Sequence, residues 1–199
     1  MPASNLPDMR ELQETSAQIL SAAALLLSEP DLALYRLLQQ RGVAASLTEV
    51  RQIFYDRLVI PQSSGFLPPF EHVFRQRRLV SGVWHFPPAR PDGAVAVERL
   101  YARFGFDPRR LMLCPPLRAP QIPADHLGFL LAFGALLLNL EETELLSRFV
   151  QRHLDGWVED WCRLLPVGNA SGYVQQVADA VQEGAGLVRQ LATACPTFL

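Results

Sequence analysis

Lysine is absent from this 199-residue chain, and all 18 of its basic residues are arginine. That removes Schiff-base chemistry and the lysine of a phosphate-cradling loop. Cysteine is scarce. Cys114, Cys162 and Cys195 form an odd set at spacings that match no metal or redox motif, so free thiols are expected and no metal site is assigned. Neither sign of charge dominates: 20 acids leave a formal net charge of -2, and no basic block longer than two residues is flanked by an aromatic stacking platform. Nucleic acid is therefore excluded as an expected partner. Long apolar runs are also missing. The longest nearly uncharged stretch, 127–140, falls short of the roughly twenty residues that a bilayer span needs and is expected to be core or groove. The start, Met1-Pro2-Ala3-Ser4-Asn5-Leu6-Pro7-Asp8, lacks the basic residues, apolar run and small-residue cleavage site of a secretory signal, so a cytoplasmic location is expected. There is no Gly-x-x-x-x-Gly-Lys loop, no Gly-x-Ser-x-Gly elbow and no two-histidine helix motif, and no catalytic residue or cofactor is assigned.

What the chain does have is apolar mass, 49% of its residues against 19% charged, enough for one domain over 1–199 with its own core. Apolar residues at helical spacing predict a first helix over 8–28, ended by Pro30. Asp31 caps a second, with Gly42 as its stop signal. A third starts at the capping box Ser46-Leu47-Thr48-Glu49 and is predicted to reach about Ile60. Between Pro61 and Pro123, which hold eleven of the sixteen prolines, regular structure is interrupted except for a helix predicted over 93–104. Helical spacing then returns over 123–140, 141–165 and 172–195. Strand alternation is nearly absent. The expected fold is all-α, a single irregular bundle of six to eight helices with a proline- and aromatic-rich central crossing.

Two segments carry candidate functional residues. In the first, Leu67-Pro68-Pro69-Phe70-Glu71-His72-Val73-Phe74, two prolines force an extended approach, and Glu71 is then set among aromatics. Glu71 is equally readable as a first-turn acid favoured by the helix dipole, with Phe70 and Phe74 as core. In the second, Ile122-Pro123-Ala124-Asp125-His126-Leu127-Gly128-Phe129, Pro123 suits a first helical position, and Asp125 falls where unpaired backbone N–H groups favour an anion. Gly128 is expected to leave a gap for another chain.

In three ordered places this sequence resembles the TorD/DmsD/NarJ family of molybdoenzyme maturation chaperones. The places are Tyr55 to Pro61 with Pro69-Phe70-Glu71-His72-Val73-Phe74, then Pro123-Ala124-Asp125-His126-Leu127-Gly128, then His153-Leu154-Asp155-Gly156-Trp157. The end of a central helix at Leu100-Tyr101-Ala102-Arg103-Phe104-Gly105-Phe106 is also similar. His72 stands where the family has a small polar residue. The resemblance implies a non-enzymatic cytoplasmic chaperone that holds the twin-arginine signal peptide, or the N-terminal tail, of a molybdopterin-containing oxidoreductase subunit during cofactor insertion. On this reading Glu71 and Asp125 accept the arginines and His126 orients Asp125 or the peptide. Asp125 and His126 carry over from the family motif; the residue types further point to Phe66, Phe70, Trp84, Phe86, Leu127 and Phe129 as the lining of an apolar trough beside Pro123 and Gly128. The alternatives are a nucleotide-binding or weakly nucleotide-hydrolysing maturation factor, and an assembly partner of a non-exported subunit. The chain is expected as a monomer or a domain-swapped dimer.

Overall fold

A computed structural model describes residues 9–111, 122–169 and 171–194, so Met1 to Asp8, Cys114 and Cys195 lie outside the described residues. The order is α1 (Met9–Leu26), α2 (Leu32–Gln40), α3 (Leu47–Phe54), α4 (Glu71–Arg75), β1 (Arg78–Val80), β2 (Val83–His85), α5 (Val95–Arg103), α6 (Leu127–Asn139), α7 (Thr143–Phe149), α8 (Val158–Leu164) and α9 (Gly172–Ala194). The fold is all-α, with one small antiparallel hairpin. None of these helices is long and apolar enough to cross a membrane.

Local chemistry sets most of these boundaries. Asp31 accepts the amide of Leu34 at the start of α2, and Gly42 closes it at φ +86°. The reciprocal Ser46–Glu49 capping box opens α3. The third helix continues to Val59 as predicted, but in π form from Tyr55. Two predictions are corrected. The stretch 141–165 is not one helix, because a π segment at Val150–Leu154 and Gly156 at φ +77° divide it into α7 and α8. The helix predicted from Pro123 begins only at Leu127, for reasons given below.

The bundle is organised round α6. Its sequence, LGFLLAFGALLLN, is apolar on nearly every side, the pattern of a helix covered all round, and ten of its thirteen residues are buried. α1 lies along α6, and α9 lies along α1. Leu20 of α1 is wholly buried between them, because Gly134 and Gly184 leave its methyls the space. A Cβ at Gly184 would stand 3.1 Å from Leu20 Cδ2.

Candidate functional site

The two segments singled out above meet. Leu127 N donates to Pro69 O at 2.7 Å and Glu71 N to Asp125 O at 3.2 Å, an antiparallel bridge centred on Phe70 and His126. This pairing holds 123–126 out of helical geometry, so His126 rather than Pro123 marks the start of α6, and its Nδ1 accepts the Gly128 amide at 3.1 Å.

Asp125 is therefore not a first-turn residue of its own helix. It caps another: its Oδ2 accepts the His72 backbone amide at 2.7 Å, in the first turn of α4, which has no cap of its own. The same oxygen takes His72 Nδ1 at 2.6 Å. His72 Nε2 accepts the Arg90 amide at 3.1 Å, so the ring proton sits on Nδ1 and donates to Asp125. Tyr101 donates its hydroxyl to Ala124 O at 3.1 Å. Asp125 Oδ1 is buried with no hydrogen-bond partner among the described residues.

Glu71 is committed in the same way. One carboxylate oxygen takes Arg75 Nε and the other His153 Nδ1, each at 2.8 Å. Arg75 also donates to Arg152 O and Asp155 O, which ties α4 to the π segment. Trp157 Nε1 donates to His153 O at 2.7 Å. Burial pushes the His126 pKa down to about 3, against the opposing pull of Asp125. An acid–imidazole pair can act as a general base only through a free ring nitrogen, and in His72 that nitrogen is already held by a backbone amide.

The expectation that acids edge an open trough is thus corrected for position. Asp125 is 1% exposed, and Pro123, His126, Leu127, Gly128 and Phe129 are all buried. The gap expected at Gly128 is closed by α1, whose Ala24 carbonyl lies 3.5 Å from where a Cβ would stand. Charged groups buried this deeply persist because they are paired inside the fold.

Phe66, Phe70, Trp84 and Phe86 behave differently. They converge on one open groove of about 750 Å³, which Pro61, Pro68, Pro87 and Pro88 also line. Its residues come from 59–73 on one wall and 84–89 on the other, and none is a carboxylate. Proline fixes the backbone of both walls without donating hydrogen bonds. Phe70 joins groove to scaffold, since its ring meets His126 edge-on at 5.3 Å.

The second wall begins at the end of a hairpin that sequence reasoning missed, with Trp84 and His85 on its second strand and Phe86 to Ala89 just past it. Leu79 pairs with Trp84 and Val80 with Val83 across a two-residue turn, Ser81-Gly82, with both φ values positive. Arg77 anchors it. Its guanidinium lies 4.2 Å from the Phe74 ring centre and 5.2 Å from that of Trp84, and donates to Asp160 at 2.5 Å. The Ser-Gly pair between apolar residues was the available signal. The roles of His72 and His153 had no local signal, because their acidic partners lie 53 and 82 residues away, whereas the Glu71–Arg75 spacing of four was a local signal available in the sequence.

No curated protein and no solved structure was found to match the chain. Residues 11–163 match the family described as nitrate reductase delta subunit, a span that contains both buried ion networks and both walls of the groove. The chain belongs to that family, which is a family of molybdoenzyme maturation chaperones.

Proposed function

We propose that the groove between the 59–73 wall and the hairpin binds the N-terminal segment of a molybdopterin-containing oxidoreductase subunit and holds it while the cofactor is inserted. The observation that supports this is the convergence of Phe66, Phe70, Trp84 and Phe86, drawn from separate stretches of sequence, on one open proline-walled surface. A concavity of that kind, with Gln62, Ser63, Ser64 and His85 set among its rings and prolines, suits a polypeptide that offers apolar side chains to the rings and backbone polar groups to the rest.

The chemistry of the lining favours a tail over an arginine pair as the feature read. Glu71 and Asp125, the acids expected to accept arginines, already have partners in the scaffold. A segment burying on the order of 500 Å² of apolar surface would gain roughly 12 kcal/mol before costs, at about 25 cal/mol per Å². Ordering it and losing its translational freedom cancel much of that gain, which leaves roughly micromolar affinity. Such binding is reversible, as a holder requires.

The test uses the N-terminal segment of the molybdoenzyme subunit that co-purifies with the chain, labelled for fluorescence anisotropy. Saturable binding is expected, with an affinity within about threefold when two adjacent arginines are replaced by glutamine, since exposed ion pairs are weak. No titratable binding of either peptide refutes the proposal. Binding lost with the arginines would return the function to signal-peptide reading.

A further inference from the structure

Sharing no lining residue with the groove, α1, α2 and α9 enclose a second concavity of about 190 Å³. Leu25, Leu34 and Leu37 line it, with Leu25 43% and Leu37 56% exposed. Leu32, at the start of the same helix as Leu37, is 53% exposed. This volume is below the roughly 300–1,000 Å³ of small-ligand sites and suits inserted side chains of another protein. Isolated exposed leucines are ordinary, but several in one place beside a slot mark an interaction surface.

The charges on its walls say which protein. Arg41, at the end of α2, and Glu183, on α9, both belong to the lining, are exposed, and enter no ion pair among the described residues. The surface therefore offers a leucine ridge and a slot to receive one, with an unpaired cation on one wall and an unpaired anion on the opposite wall. A two-fold axis through such a patch sets ridge into slot and cation against anion twice over, the condition for an isologous contact. A partner with a charge of only one sign would leave one of the two walls facing a like charge.

We infer that this face is the dimer interface of the chain, with Leu37 of each copy seated in the other's slot and Arg41 of each copy opposite Glu183 of the other. The contact is small and flanked by water, so association is reversible. It uses no residue of the client groove.

Sedimentation velocity of the full chain over a concentration series tests it. The wild type is expected to show a concentration-dependent monomer–dimer equilibrium. Leu37→Glu, at a surface position, is expected to abolish the dimer without changing the far-UV circular dichroism. Arg41→Glu and Glu183→Arg are each expected to weaken dimerisation about tenfold and, combined in one chain, to restore it to within about threefold, since swapping both charges regenerates the pair. A chain that is monomeric throughout the series overturns the inference. So does a dimer indifferent to Leu37→Glu, or a double swap as weak as the sum of its parts. Client-peptide binding is expected to be equal in wild type and Leu37→Glu, which keeps this result separate from the fate of the groove.

Discussion

Replacing Gly93 with alanine tests the buried scaffold most directly, because ordinary reasoning gives that change the opposite sign. Gly93 does not have a positive φ, and at such positions alanine usually stabilises a protein by about 0.4–1 kcal/mol through the unfolded chain. Here a Cβ would stand 2.4 Å from His72 Cδ2 and 2.6 Å from Cγ, far inside contact distance. The ring is buried and held at both nitrogens, so it cannot yield without losing its bonds. The bond to the Asp125 carboxylate is worth about 1.5–3 kcal/mol and that from the Arg90 amide about 0.5–1.5. With the entropic gain set against them, Gly93→Ala is expected to cost about 1–4 kcal/mol, or roughly 2–16 °C in Tm for a domain of this size. Urea denaturation followed by circular dichroism measures it. In a His72→Ser background, with no ring to strike, the same change is expected to be neutral or mildly stabilising. An equal cost in both backgrounds would refute the steric argument, and no cost in the wild type would refute the placement of His72.

Further expectations concern the groove and the buried ionisable groups. Trp84 is 38% exposed on a groove wall, so Trp84→Ala is expected to weaken client-peptide binding at least about tenfold in anisotropy titrations, with Tm lowered by only a few degrees. Because His126 is held near pKa 3 in the fold against about 6.5 when unfolded, the unfolded chain takes the proton first as pH falls. Its contribution to stability is therefore complete above about pH 6.5 and declines below it, by about 2 kcal/mol at pH 5, where 1.5 units of protonation difference count at 1.36 kcal/mol each. His126→Gln is expected to flatten that part of the pH profile in urea titrations, and an unchanged slope would contradict the burial of the ring. Asp125→Asn is expected to lower stability to the same extent at low and high salt, as a buried cap does; a loss confined to low salt would mean the carboxylate is exposed. Burial pushes the Cys162 thiol up to about 12, so iodoacetamide at pH 8 is expected to leave its tryptic peptide unlabelled until denaturant is added.

Legibility in the sequence followed the range of the interactions. Helix starts signalled within four residues were readable, as at Asp31 and at the Ser46–Glu49 box, and so was the glycine stop at Gly42. The all-α class followed from periodicity alone. The start of α6 was misplaced by four residues because Pro123 and Asp125 form a good local helix signal, which the bridge to Pro69 and Glu71 overrides. The hairpin was missed because a strand of three residues is too short to establish a period of two. Among the candidate site residues, the aromatics of the crossing, Phe66, Phe70, Trp84 and Phe86, lie in the groove, while Glu71 and the candidates of 123–129 lie buried in the scaffold.

That division has a physical reason. A carboxylate beside histidine at a helix start can serve a ligand or a neighbouring helix, and residue types alone do not separate the two. The deciding quantity is the number of unsatisfied donors that the fold itself places within reach. α4 is five residues long, too short to be stable by propensity, and begins without a cap. It leaves amides, an imidazole and a guanidinium that need acceptors at the point where 123–127 pairs with 69–71. Asp125 and Glu71 meet that demand, and meeting it fixes Phe70 at the junction and holds α4 where Arg77, just past its end, can steady Trp84. The acids thus shape the groove without entering it. A motif noted for its acids and a surface noted for its aromatic rings are two parts of one device, in which buried charge fixes the backbone from which the aromatic side chains project.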